Sequence, residues 1–586
     1  MNLKYISFVV LSIITFSSCS DMLDIQKDGR VPYDKIFEDR DQTRAYLNSC
    51  FTNLGYFSPS FDLSSFCDET QNAEVSHSTV AAFSGWYSGQ STAQWFPVPS
   101  GYIWEGLFDG IRKCNVFIQN IDNAKIIATV NEKANWKSQA LTLRALYYFQ
   151  LIKRYGGVPI IKEPIKVGDD LSMYRRASFN DCVTTILKDC DDALAAPTAA
   201  FPLFNGSTNS GMMTKAVCYA IKSEAILYAV SPLWNDGTYS WNDALNITKQ
   251  ALDSINPNPS KPDYALYTKA PASSIAQNAY AAFHIIPPDV ARQDKETIFQ
   301  LGGRLQIWKF AGMPHMPDVI SAGPNPTQDL VDAYEMKTGQ APILGYNDPD
   351  HLDPIINPLA GYDPQNPYKN RDPRFEASIY YNGSNQNLTG LAKYVQTYEG
   401  GLAGISQTDY RYTTTGYYVR KFNRWNSNKN NEADGVIRLY RYAELLLNYA
   451  EAAAYAVGPD VLVGDMTMTA RGAVNVVRAR AGIQAFPSGL SQEDFIAKYR
   501  NERRIEFAFE GHRYFDVRRW KIMKEVDKFV TGMKIIKNAN NTLTYQRFRF
   551  DDRKVIDDKY YLFPLDVIEA NKCFSTTGLI WQNPGW

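Results

Sequence analysis

Arg441-Tyr442-Ala443-Glu444-Leu445-Leu446-Leu447-Asn448-Tyr449-Ala450-Glu451-Ala452 is the stretch on which the fold turns. Leu439, Ala443, Leu446, Ala450 and Ala453 recur three or four residues apart, which marks one face of a helix. Ala470 to Arg480 and Gln492 to Trp520 continue the helical pattern toward the C-terminus. The chain closes from Tyr560 to Trp586 with a short apolar strand-like run, a helix turn and a Pro-Gly tail.

The same periodicity fills the first half. Trp136, Ala140, Leu143, Tyr147 and Leu151 lie on one face of a long helix, ended by Gly156-Gly157 and Pro159. Ser178 opens another helix, with Asp181 placed to complete a capping box. Val183, Ile186, Leu187, Cys190 and Leu194 form its apolar face, and Pro197 follows. A third helix spans about Lys215 to Val230, and a fourth begins near Trp241. Small Ala mixed with large Tyr and Leu suits helix pairs packed face to face, as in tetratricopeptide repeats, although no fixed period is visible. The expected fold class is mostly α: tetratricopeptide-like helix pairs with a loop-rich region packed on one side.

That loop-rich region runs from about Asn256 to Thr415. It is dense in Pro, Gly, Asn and Asp, as in Gly323-Pro324-Asn325-Pro326. Interspersed Tyr, Phe and Trp argue for structured loops with short strands and helices.

Bulk composition excludes some functions. Lys plus Arg (61) nearly cancels Asp plus Glu (62), so no electrostatic reason exists to expect nucleic acid as a partner. The 37 Tyr, 30 Phe and 11 Trp leave rings to spare for an exposed stacking platform beyond those the core needs. Eight cysteines include no CxxC pair. Setting Cys19 aside leaves an odd number, several within helical patterns, so no disulfide framework is expected, with Cys182 and Cys190 left open.

The N-terminus has the layout of an export signal. Lys4 gives a positive start, Tyr5 to Phe16 is nearly all apolar, and Ser17-Ser18-Cys19 follows. The apolar stretch is too short to span a bilayer comfortably. Two readings fit: a plain secretory signal with Cys19 incidental, or a lipoprotein signal cut before Cys19 and lipidated on its sulfur. The second is preferred, although Phe16 stands where a lipobox usually carries Leu.

Motifs along the chain carry a resemblance. They include Trp104 with Ile111 and Asn115, Arg144-Ala145-Leu146-Tyr147-Tyr148-Phe149, and Tyr155-Gly156-Gly157-Val158-Pro159. The middle holds Pro326-Thr327-Gln328-Asp329-Leu330, Asn370-Arg371-Asp372-Pro373-Arg374-Phe375 and Gly416-Tyr417-Tyr418-Val419-Arg420-Lys421-Phe422. The C-terminal part adds Arg441 to Ala452, Asn501-Glu502-Arg503-Arg504-Ile505-Glu506-Phe507, Gly511 to Trp520, Leu562-Phe563-Pro564-Leu565 and Gln582-Asn583-Pro584-Gly585-Trp586. Together these resemble the SusD/RagB family of Bacteroidetes nutrient-binding outer-membrane lipoproteins. Ser20-Asp21 and Asp24 resemble the acidic flank that sends such lipoproteins to the cell surface.

The resemblance implies a SusD-like fold, a shallow binding surface without catalysis or cofactor, and a lid role on a SusC-like TonB-dependent outer-membrane transporter. It implies a protein on the cell outer membrane, lipid-anchored and facing outward, that binds a glycan or other nutrient. The implied organisation is a signal peptide over 1–18, a lipid-anchored segment over 19–40, a helical region over 41–330 and a C-terminal region over 331–586, the last two forming one compact unit. Two alternatives stay open: a binding lipoprotein for peptide uptake, and a surface glycosidase.

The signature charges read as structural. Arg503 and Glu506 are three apart and positioned to pair. Arg513, Asp516, Arg518 and Arg519 extend a network expected to hold this helix to the Arg371–Arg374 turn. Glu444 and Glu451 lie seven apart on one helix face, and spacing alone does not show the separation that paired glycosidase carboxylates need. The five histidines are scattered, with no HExxH, GxSxG or GxxxxGK[ST] pattern. Asp348, Asp350 and Asp353 lack the glycine and terminal Glu of an EF-hand, so a solvated Asp-Pro turn is the preferred account.

Sugars present C–H patches edged by hydroxyls, so their binders combine accessible rings with polar side chains. Trp86 in Ser84-Gly85-Trp86-Tyr87-Ser88-Gly89-Gln90, Trp95 in Ala93-Gln94-Trp95-Phe96-Pro97, and Trp308 are the candidate stacking rings. Arg304 and Gln306 are the polar candidates beside Trp308, and Tyr362 and Tyr368 are the next loop aromatics. The bland reading of each ring is simple packing. Trp104 and Trp136, within helical patterns, are expected in the core.

Overall fold

The computed structural model describes residues 33–57, 62–74, 103–204, 211–258, 260–271, 278–286, 294–306, 312–314, 321–386, 393–423, 434–465, 468–553 and 557–586. A stack of antiparallel helices forms the scaffold: α1 (Arg40–Phe51), α2 (Ile103–Ile121), α3 (Val130–Tyr155), α4 (Phe179–Leu194), α5 (Lys215–Val230) and α6 (Trp241–Ile255). Each packs on the one before it. The Ser178–Asp181 capping box forms as its spacing predicts, and Ser240 with Asp243 repeats the device at α6. Gly156, at φ 77°, closes α3. The motif periodicity predicts one buried face for α3, yet almost every residue from Trp136 to Tyr155 is buried. Flanked by α2, α4 and α5, this stretch of the helix has almost no solvent side.

The chain then leaves the stack. Its excursion holds β2 (Thr297–Gln306), β3 (Pro324–Pro326), α7 (Gln328–Ala333), β4 (Ile343–Tyr346), β5 (Pro354–Ile356), α8 (Pro373–Ser378), β6 (Ile379–Tyr380) and β7 (Tyr418–Val419). These short elements agree with the structured loops read from composition. β3 pairs antiparallel with β1 (Thr70–Asn72), which lies between α1 and α2 in the chain.

β8 (Asp434–Arg441) brings the chain back by pairing antiparallel with β2. Leu439 therefore stands in a strand, not on the helix face where its spacing placed it. β-pairing with β2 competes for these residues, and the helix α9 (Tyr442–Ala456) starts only beyond Arg441. It slots against α6 and α5, so the C-terminal half extends the stack begun by the N-terminal half. Leu446, Leu447, Ala450 and Ala453 are buried there. Burying one leucine side chain fully contributes about 1.5–3 kcal/mol.

α10 (Ala470–Ala481) and α11 (Gln492–Glu506) pack on α9. The helical pattern from Gln492 to Trp520 is broken in the structure. α11 stops at Glu506, Phe509 and Gly511 take positive φ, and α12 (His512–Arg519) starts afresh. The hairpin β9 (Phe529–Lys537) and β10 (Leu543–Asp552) has no counterpart in the sequence reading. Near the end, the strand-like run forms no strand among the described residues, and the expected single turn is the longer helix α13 (Val567–Thr577).

The main core lies within the helix stack. A second cluster, with Leu330, Tyr334, Phe375, Tyr417, Val419, Met533 and Ile535, joins the excursion to the β9–β10 hairpin. Trp104 and Trp136 are buried, as expected. Tyr362 and Tyr368 are corrected: Tyr362 is buried under Arg371, and Tyr368 packs among Phe375, Tyr381, Tyr417 and Tyr545. Neither ring is a loop platform. Cys50, Cys67, Cys114, Cys182, Cys190, Cys218 and Cys573 are free thiols, and Cys182 and Cys190 do not pair. Among the described residues no helix is long and apolar enough to cross a membrane.

Candidate functional site

Two ion networks weld the C-terminal helices together. In one, Arg374 binds Asp372 at 2.8 Å, Glu502 at 2.6 Å and Glu506 at 3.0 Å. Arg478 joins Glu502 to Glu335, Arg480 and Arg441 both reach Glu506 and Glu296, and Lys421 meets Glu510. In the other, Arg503 and Arg519 share Asp516, and Arg519 binds Glu451. Arg513 pairs with Asp68 at 2.8 Å. α11 is tied to the Arg371–Arg374 turn by Glu502 and Glu506 through Arg374, and not by the expected Arg513, Asp516, Arg518 and Arg519, which engage Asp68, Arg503, Glu451 and the Tyr560 carbonyl instead. Arg371 donates to the carbonyls of Pro367, Val331 and Tyr334.

The expected Arg503–Glu506 pair does not form. Residues three apart point roughly 60° apart around a helix, and α11 is buried on several sides. Arg503 turns to Asp516 and to Asn448, and Glu506 turns to Arg374, Arg441 and Arg480. Burial opposes ionisation of Glu506, but Arg480, Arg441 and Arg374 outweigh it and hold its pKa down at about 2. These arginines are engaged inside the fold and do not form a site for an anionic ligand.

Glu444 and Glu451 are equally enclosed. Glu451 accepts from Arg519 and from the Trp520 indole N–H. Both Glu444 oxygens are buried without a hydrogen-bond partner, and burial, with the nearby Glu224 charge, pushes its pKa well above the usual carboxylate range. A cavity of about 40 Å³ lined by Lys153, Glu224, Tyr440, Glu510 and His512 opens nearby. It is far too small for a sugar. At the acidic turn, Asp348 accepts the backbone N–H groups of Asp350, Leu352 and Asp353. Among the described residues no group of three or more His, Cys, Asp or Glu side chains is placed to hold a metal ion.

A different region brings loop ends together. β1 pairs with β3, and the Ala73 N–H donates to the Gly323 carbonyl at 3.0 Å. Residues 75–102 follow immediately. Gly312, where the chain re-enters after 307–311, takes φ 71°, and a Cβ there would lie 1.9 Å from the Ala322 carbonyl oxygen. Only glycine fits so close a backbone approach. Ala322 donates in turn to the Tyr410 carbonyl at 2.8 Å, and Asn325 accepts from the Thr414 backbone at 2.9 Å. The stems of two separate segments thus meet at Ala322-Gly323.

Next to this junction, residues 397–412 and the β9–β10 hairpin enclose an open groove of about 640 Å³. Thr397, Glu399, Gln407, Asp409, Tyr412 and Phe548 line it, and the Glu399–Lys534 ion pair (3.0 Å) crosses its rim. Gly532 faces Phe548 across the hairpin. Any Cβ on Gly532 would come within 2.6 Å of that ring, so the glycine lets Phe548 lie over β9.

Two family models match the chain. One, described as SusD family, covers residues 318–586, and one described as "Starch-binding associating with outer membrane" covers 33–206. The chain belongs to the SusD/RagB family. Solved SusD-like structures share its fold. One from Bacteroides fragilis is 24% identical, with 95% of this chain and 100% of that chain covered and a TM-score of 0.72. A SusD-like carbohydrate-binding protein from the same organism is 21% identical over 92% and 99%, TM-score 0.67. Surface glycan-binding protein A from Bacteroides fluxus is 18% identical over 93% and 99%, TM-score 0.60. No curated protein matches the chain.

The site residues read from the sequence of this SusD-like chain fare unevenly. Cys19, Trp86, Trp95 and Trp308 lie outside the described residues. Arg304 and Gln306 stand in β2, not in a loop; the backbone of Gln306 is opposite Asp434 of β8. The groove was missed. Its signals were the ring-bearing run Asp409-Tyr410-Arg411-Tyr412 and the glycines at 400, 401 and 404. Neither is periodic, so neither stood out.

Proposed function

We propose that this chain is a surface-exposed outer-membrane lipoprotein, anchored through Cys19, that binds an oligo- or polysaccharide and delivers it to a SusC-like TonB-dependent transporter. Trp86, Trp95 and Trp308 stack on the sugar rings, with Arg304 and Gln306 as polar partners. One observation carries this reading: the stems of the segments bearing Trp86, Trp95 and Trp308 meet at Ala322-Gly323 in a SusD fold. Two segments from distant parts of the sequence thus have described flanking residues at one junction, which supports a shallow stacking surface drawn from both. The family description mentioning starch binding and outer-membrane association, and the naming of SusD-like structures as carbohydrate- and glycan-binding, support the ligand class and the location.

The protein binds without cleaving. Glu444 and Glu451, the paired carboxylates that the sequence offers, are buried and far from forming an accessible acid pair. The test is calorimetric titration of the purified protein with soluble polysaccharides and with peptides, alongside a reducing-end assay. Glycan binding with no release of reducing ends is expected. Peptide binding without glycan binding would replace this reading with peptide uptake, and catalytic release of reducing ends would replace it with a glycosidase.

A further inference from the structure

We infer that the groove between residues 397–412 and the β9–β10 hairpin is a second carbohydrate subsite, taking the distal units of a neutral oligosaccharide. The inference rests on the glycan-binding reading above. Its lining is suited to sugar. The half-buried rings of Tyr412 and Phe548 offer faces for C–H stacking, while Gln407, Asp409 and Ser406 offer donors and acceptors for hydroxyl edges. Thr397, buried at the groove wall, has an Oγ1 with no hydrogen-bond partner.

Size and charge narrow the ligand. A volume of about 640 Å³ falls within the range for small-ligand sites and holds a few sugar units. Glu399 and Asp409 are the acidic groups and Lys534 the basic one. Lys534 is paired with Glu399, and Arg411 engages Asp409 at 2.8 Å, so among the described lining residues no surplus cation is left for an acidic sugar. Tight turns shape the rim: Gly400 takes φ 82°, and a Cβ on Gly401 would meet the Gln396 carbonyl at 2.5 Å.

The groove also adjoins the stem junction. Tyr410, whose carbonyl accepts from Ala322, is two residues from Tyr412 and next to Asp409. The loop that lines the groove is thus hydrogen-bonded to the junction from which the ring-bearing segments lead off. This predicts a preference for longer chains, because the two subsites act at high effective concentration when one ligand spans both.

The experiment compares calorimetric affinities for maltoheptaose and laminariheptaose with those for maltose and laminaribiose. It uses the wild type, Tyr412→Ala combined with Gln407→Ala, and Gln407→Ala combined with Lys534→Ala. The second pair keeps the test open if loss of the Tyr412 ring disturbs the loop, since its positions are exposed or half-exposed. Heptasaccharide affinity should fall about ten-fold in the Tyr412 variant and about three-fold in the other, with disaccharide affinity unchanged. Unchanged heptasaccharide affinity in folded variants of a wild type that binds overturns the second subsite alone. Failure of the wild type to bind any of the four sugars or any other neutral oligosaccharide overturns the neutral-glycan subsite. Failure extended to a full panel of neutral and acidic polysaccharides overturns the glycan reading itself.

Discussion

Arg374 Nη1 lies 3.0 Å from Glu506 Oε2, joining residues 132 apart in sequence at the point where the excursion meets the helix stack. Both side chains are fully buried. Arg374 is held on its other side by Asp372, its own N-cap residue on α8, so one guanidinium locks a turn, a helix start and α11 together. The attraction has to offset the desolvation of several charges, and it does so through a dense set of hydrogen bonds.

Removing one member should therefore be severe. Arg374→Ala leaves Asp372, Glu502 and Glu506 with less compensation in the interior. The expected loss is about 3–5 kcal/mol, read from urea denaturation, with the thermal midpoint falling accordingly. A loss below about 1 kcal/mol, typical of an exposed pair, would show that the network is wet and loosely coupled.

Acid should act through the same groups. Glu506 and Glu510 are held at about 2 by their basic neighbours against the effect of burial. Their contribution is present above the unfolded carboxylate range, about 4, and is lost as the pH falls toward 2. Glu69 and Asp527 behave oppositely. Burial, with Asp68 adding to it, raises each to about 7. Their contribution is full below about 4 and is lost as the pH rises through 7. Stability should peak on the acid side of neutrality. Glu69→Gln combined with Asp527→Asn should flatten the decline of the denaturation midpoint between pH 5 and pH 8; an unaltered decline would assign it to other groups.

The stacking rings and the core rings should separate cleanly. Trp86→Ala, Trp95→Ala and Trp308→Ala made together should abolish glycan binding with little change in melting temperature. Trp104→Ala, at a ring buried between Phe108, Tyr155 and Trp581, should instead cost about 3–5 kcal/mol. A sharp melting loss in the triple variant would make its rings core residues. Retained binding would place the stacking surface elsewhere. With a neutral glycan, affinity should hardly change with salt, since screening acts on charge contacts and not on stacked rings.

The proposed anchor is one sulfur, that of Cys19. Cys19→Ala should move the protein from the membrane fraction to a soluble or unprocessed form and abolish lipid labelling. A multiply acylated cysteine holds firmly, whereas a single chain binds marginally. Membrane attachment that survives the substitution would end the lipoprotein reading.

Local periodicity and caps are short-range properties, and they were legible in the sequence alone. The 3.6-residue pattern marked helices along Trp136 to Leu151, from about Lys215 to Val230 and from Ala470 to Arg480, and Ser178 with Asp181 marked a start that forms as expected. The ordered motifs from Trp104 to Trp586 identified the family. The tertiary structure decided whatever depends on partners distant in sequence. Leu439 became a strand residue because β2 lies beside it, and Arg503 left Glu506 for Asp516 because the break after Glu506 brings Asp516 of α12 within 2.8 Å of it. Tyr362 and Tyr368 read as loop rings until packing buried the first and set the second, half-buried, among other rings. The groove at Tyr412 arose only when a glycine-rich loop met a hairpin whose strands carry no clean alternation. A helix face is written in neighbours three and four residues apart, but a cleft between two loops has no period to read.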